Sequence, residues 1–69
     1  MTFAEFIRQK RQQAKLSQDT VAQALDFQHR SNVHRIETGK LELKLSSLMK
    51  FAELLGTTAS ELLREFENK

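Results

Sequence analysis

Between Leu16 and Lys40 the chain reads LSQDTVAQALDFQHRSNVHRIETGK, and its few apolar residues admit two short amphipathic helices broken by a tight polar turn. In the first, Val21, Ala22 and Leu25 fall at helical spacing on one side, while Gln18, Asp19 and Gln23 lie elsewhere on its surface. In the second, Val33 and Ile36 are the only large apolar residues, so they must face inward. Arg30, Ser31, His34 and Arg35 are then left pointing outward, one or two turns apart on a shared surface. An exposed helix built of arginines and small polar donors is equipped to read a nucleic-acid groove.

The rest of the chain narrows the alternatives. Its 69 residues support one domain over 1–69, near the lower limit for a core that stands without staples. There is no Cys, which rules out a disulfide framework or a thiolate metal site and makes a reducing cytoplasm the expected home. With no Pro, two Gly and no Trp or Tyr, the composition favours helices joined by short turns over a sheet-rich fold. No apolar run approaches the ~20 residues of a membrane span, and the opening TFAEF lacks the basic-then-apolar layout of a secretion signal. No enzyme is expected, and no metal or other cofactor. His29 and His34 sit five apart and fit no zinc pattern, and no glycine-rich phosphate loop is present.

A net charge of +2 is mild, but its distribution is not even. From His29 to Lys40, Arg30, Arg35 and Lys40 face a single acid, Glu37, whereas Glu61, Glu65 and Glu67 gather near the C-terminus. The positive field is therefore local and directional.

The full pattern is an all-α, compact five-helix bundle. Thr2 and Glu5 make a capping box for a first helix with Phe3, Phe6, Ile7 and Ala14 inward and Arg8, Gln9, Gln12 and Gln13 outward. Lys10 interrupts that stripe, its stem lying along the core and its ammonium reaching water. Ser17 caps the second helix, which ends around Leu25; the third runs from Arg30 to Thr38 and stops at Gly39. Leu41, Leu43 and Leu45 alternate through an extended connection, since a lone strand has no partner here. The fourth helix spans Leu45 to Leu55 with Leu45, Leu48, Met49, Ala52 and Leu55 on one face, and Gly56 ends it. Thr58 and Glu61 open a fifth, carrying Leu62, Leu63 and Phe66, with fraying expected from Glu67 to Lys69. Phe51, Leu54, Leu63 and Phe66 cannot all point inward beside Leu48, Ala52, Leu55 and Leu62, so part of this surplus is expected to form a self-association patch.

These pieces fall in a familiar order: IRQKR, then L-S-Q-x-x-x-A from Leu16 to Ala22, V-x-x-I-E-x-G-K from Val33 to Lys40, LMKFAELLG, and a capped T-x-x-E-L-L. From about Phe6 to Leu63 the chain resembles the phage-repressor/Cro-type (XRE-like) helix-turn-helix family. The resemblance implies a lambda-repressor-like fold with its third helix in the major groove and its second across the phosphate backbone. It also implies a homodimer on a pseudo-palindromic double-stranded DNA operator. By position, it places Arg30, Ser31 and Arg35 at base edges with His34 beside them, and Gln18, Thr38 and Lys40 on the DNA backbone. His29 in the turn and Asn32 are further backbone candidates. Arg11 and Glu37 match a family ion pair tying the first helix to the recognition helix.

The chain departs from the family pattern at three places. The DFQH turn is one residue longer than the commonest version and carries Asp26 where Gly is frequent; Lys15 likewise replaces a frequent Gly, and Lys44 a better N-cap. The expected role is a stand-alone repressor or controller of phage or mobile-element type, in a bacterial or phage-infected cytoplasm at the nucleoid. The alternative is an antitoxin-type DNA-binding protein that also binds a partner protein.

Overall fold

The computed structural model describes residues 1–68 and contains five helices: α1 (Phe3–Gln13), α2 (Gln18–Ala24), α3 (Ser31–Glu37), α4 (Leu45–Leu54) and α5 (Ala59–Glu67). No strand occurs among the described residues, and Leu41 to Lys44 run as an irregular connection. α5 continues through Glu67 with Asn68 as its C-cap, so the fraying expected from Glu67 is not seen there; Lys69 lies outside the described residues.

Side-chain oxygens set three of the helix starts. The Thr2 hydroxyl accepts from the Glu5 amide and the Glu5 carboxylate accepts from the Thr2 amide, completing the capping box. Those bonds to Thr2 hold the exposed Glu5 carboxyl below its ordinary range. Ser17 and Thr58 cap α2 and α5 by accepting from the Thr20 and Glu61 amides. Lys44 stands at the N-cap of α4 and supplies no side-chain bond.

The first four helices all end in the same way. The residue two past the cap donates back to a carbonyl five residues earlier: Leu16 to Arg11, Phe27 to Ala22, Lys40 to Arg35 and Thr57 to Ala52. This closure needs a left-handed residue just after the cap, and Gly39 and Gly56 adopt it without a Cβ to strain. Lys15 and Asp26 adopt it too, at φ 59° and 60°. Each costs on the order of 1–2 kcal/mol of local strain that the surrounding packing offsets. For Asp26 part of the support is visible, since the Lys50 ammonium on α4 lies 2.7 Å from its carboxylate.

The core is Phe6 and Ile7 of α1, Val21, Ala22 and Leu25 from α2 and its cap, Val33 and Ile36 of α3, Leu48, Phe51 and Ala52 of α4, and Leu62 of α5. α3 packs on α1 and α2, while α4 packs on α2 and α5. Phe66 closes α5 onto α1, its ring 5.1 Å from Phe3 and 5.4 Å from Phe6. Lys10 adds a bond to Glu65 at 3.0 Å from the same pair of helices.

Several sequence expectations are corrected by this packing. α3 is one residue shorter at each end than expected, with Arg30 and Thr38 as its caps. Ala14 caps α1 in the open and is exposed rather than inward. The buried face of α4 is turned toward Phe51: that ring is 1 % exposed, whereas Leu45 and Met49 are 65 % and 57 % exposed. The largest side chain of α4 goes to the centre of the core because it removes the most apolar surface from water there. Phe51 is therefore not a self-association residue. Phe66 and Leu54 are half-buried against the core, and only Leu63 of the four expected patch residues is exposed.

Candidate nucleic-acid interface

α3 has seven residues, and burial divides them sharply. Val33, Ile36 and Glu37 are buried, and Asn32 is half-buried. Ser31, His34 and Arg35 are exposed, joined by Arg30 before the helix and by Thr38 and Lys40 after it. Two branched aliphatic side chains thus anchor the helix from below, and everything with a long donor or cation points away. His29 in the preceding turn is exposed as well.

The buried member of this set that is not apolar is Glu37, and its neighbours explain how a carboxylate is tolerated there. Arg11 Nε donates to Glu37 Oε2 at 2.6 Å and Arg11 Nη2 to Glu37 Oε1 at 3.1 Å, a two-pronged pair. The remaining guanidinium nitrogen, Nη1, donates to the Leu16 carbonyl at 2.8 Å. Gln18 Nε2 adds a third donor to Glu37, reaching Oε1 at 3.2 Å. The guanidinium and carboxylate side chains are 12 % and 2 % exposed. One network therefore joins α1, the chain entering α2, the first residue of α2 and the last residue of α3.

The remaining candidates divide by what already holds them. Arg30 Nη1 lies 3.8 Å from Asp19 Oδ2, but both side chains are about two-thirds exposed, so this is a weak surface contact. The Thr38 hydroxyl donates to the His34 carbonyl at 2.9 Å, leaving only its lone pairs for any outside partner. No ion pair engages the side chains of Arg35 or Lys40 among the described residues. The acids of the C-terminal region belong to α5, where Glu61 faces Arg64 and Glu65 faces Lys10.

Sequence reasoning missed the Gln18 bond to Glu37 and the Lys50–Asp26 and Lys10–Glu65 pairs. Each joins residues at least 19 positions apart in sequence, on separate elements, so no local spacing signals them. Elsewhere the structure offers little chemistry. Among the described residues no group of three His, Cys, Asp or Glu could hold a metal ion, and no helix is long and apolar enough to cross a membrane.

Two consecutive short helices joined by a tight turn, the second presenting a polar and cationic outer face, define a helix-turn-helix protein. Residues 2–66 match the helix-turn-helix domain family, and the chain belongs to it. That membership agrees with the phage-repressor/Cro-type resemblance of the sequence and points to a DNA-binding regulator. No curated protein and no solved structure matches the chain.

Proposed function

We propose that the protein is a sequence-specific double-stranded DNA-binding transcription regulator, a repressor or controller. It reads the major groove with α3 as a homodimer on a pseudo-palindromic operator. The observation that carries this reading is the division of α3 into a buried Val33–Ile36–Glu37 underside and an exposed Arg30, Ser31, His34 and Arg35 face. Arginine guanidinium donates two parallel hydrogen bonds to O6 and N7 of guanine, a pattern unique to that base in the major groove. Arg30 and Arg35 stand more than a helical turn apart and suit separate base pairs of one half-site. Ser31 is small enough to let the helix approach closely, and His34 reaches an adjacent base or phosphate. Gln18, His29, Asn32, Thr38 and Lys40 border this face and serve the DNA backbone, Thr38 through its lone pairs or after releasing its own helix.

Self-association draws support from α4. Leu45 and Met49 stand one turn apart on its outer face and, with Met1, are the three most exposed large apolar residues among the described residues. Glu42 and Lys44 at one end of this strip and Glu53 at the other give it both signs of charge. Such a strip suits a second copy related by a twofold axis better than it suits a polyanion.

Two variants separate base reading from backbone holding. Arg35→Ala is expected to weaken binding to a selected operator by about 10-fold or more and to relax preference at one base position, with little change on random DNA. Lys40→Ala is expected to weaken binding to every sequence alike and to lower the slope of log affinity against log salt by about 1. Fluorescence anisotropy titrations on operator and random duplexes at several salt concentrations measure both. Identical behaviour of the two variants on the two duplexes would remove α3 from the role of base reader.

A further inference from the structure

Gln18 opens α2 and is half-buried, and its side-chain amide makes one bond, from Nε2 to Glu37 Oε1 at 3.2 Å. An amide nitrogen carries two hydrogens in a fixed plane, so holding one fixes the direction of the other. Glu37 is itself held in place: it is buried and accepts from both Nε and Nη2 of Arg11. A flexible surface glutamine gives up about 1–2 kcal/mol of side-chain freedom when it is fixed on a ligand; here much of that ordering exists before any ligand arrives. Glu37 is also the last residue of α3, two positions from Arg35. The same carboxylate therefore terminates the helix that carries the base-reading face and orients a donor on the neighbouring helix.

We propose that Glu37 is a positioning residue for DNA: it holds the Gln18 amide so that its second Nε2 hydrogen donates to a backbone phosphate oxygen, fixing that contact in register with α3. The inference rests on the DNA-binding reading above. It assigns the buried ion pair a part in binding as well as in folding. Because the contact is a neutral donor to a phosphate, its loss weakens binding on all sequences without releasing fewer counterions.

The test is a double-mutant cycle read by DNA affinity, with Gln18→Met and Glu37→Gln, each alone and combined, on operator and random duplexes. Gln18→Met is expected to weaken binding several-fold on both duplexes with an unchanged salt slope. Glu37→Gln is expected to cost about 10-fold in affinity when Gln18 is present and under about 2-fold in the Gln18→Met background, while its effect on melting temperature is similar in both. Equal affinity losses in both backgrounds would overturn the proposal, leaving Glu37 a purely structural group. A second measurement on the unmutated protein stands even if Glu37→Gln fails to fold. In NMR spectra of the free protein the Gln18 side-chain amide proton bonded to Glu37 should lie downfield of the range of exposed glutamines, and DNA should shift chiefly the other proton; an amide that DNA leaves unperturbed overturns the proposal. If the unmutated protein binds DNA but neither signature is seen, this inference alone falls. If it binds no duplex, the DNA-binding reading falls with it.

Discussion

Arg11→Met is expected to destabilise the protein by about 3–5 kcal/mol, because it leaves the Glu37 carboxylate buried and facing only the Gln18 amide. The Leu16 carbonyl loses its guanidinium donor in the same step. For a domain of this length, whose total stability is on the order of 3–10 kcal/mol, that is a large fraction, equivalent to a fall in melting temperature of roughly 12 °C or more. Methionine fills much of the space of the arginine stem, so packing changes little and the loss is electrostatic. The double variant Arg11→Met/Glu37→Leu separates the causes. Removing both charges from a buried pair is often neutral or favourable, so the double variant should recover most of the lost stability in thermal circular dichroism. A double variant no more stable than Arg11→Met would show that the unpaired carboxylate is not the source of the loss.

A loss of similar size is expected on α4, and it decides which face of that helix is inside. Phe51→Ala should cost about 3–5 kcal/mol, the transfer of a whole aromatic ring plus the cavity left in the core. Leu45→Asp should change monomer stability by less than about 0.5 kcal/mol, since the residue is exposed and a carboxylate in the first turn of a helix meets a favourable dipole. The same Leu45→Asp substitution should nevertheless weaken binding to a full operator far more than to a lone half-site, because it places a charge in the proposed dimer contact. Chemical denaturation and sedimentation measure the two effects separately. A strongly destabilised Leu45→Asp beside a tolerant Phe51→Ala would put the α4 faces back where simple periodicity places them.

That rotation of the α4 face, which keeps Leu48 and Ala52 inside but turns Leu45 and Met49 out and Phe51 in, shows where the sequence stops being legible. Helix existence was readable because caps and stops are local: Thr2 with Glu5, Ser17, Gly39 and Gly56 announce their roles within a few residues. The exposed face of α3 was readable because Val33 and Ile36 leave one choice of orientation. On α4 nearly every second residue is apolar, so several faces satisfy a helical period, and the choice is made by which side chain fits the space between α2 and α5. The left-handed Asp26 could be suspected from its place in the turn, but the Lys50 ammonium that braces it comes from a helix 24 residues on. The Arg11–Glu37 pair followed from resemblance to a family. Its extension to Gln18 followed from nothing in the sequence, since it depends on how the start of α2 lies against the end of α3.

The network around Glu37 also bears on how so small a core holds the outward face of α3 in place. Val33 and Ile36 contribute about 1.5–3 kcal/mol each by burial, but that attraction is non-directional. The bonds from Arg11 and Gln18 to Glu37 add direction, tying the C-terminal end of α3 to α1 and to the start of α2.

Selection of bound duplexes from a random pool with the unmutated protein, followed by the same selection with Arg30→Ala and Arg35→Ala, tests most directly whether the outward face of α3 reads bases. The expected result is a pseudo-palindromic consensus with half-site centres about 34 Å apart, in which each variant loses preference at its own base position. A pool that emerges without consensus, or a consensus that both variants select unchanged, would contradict it.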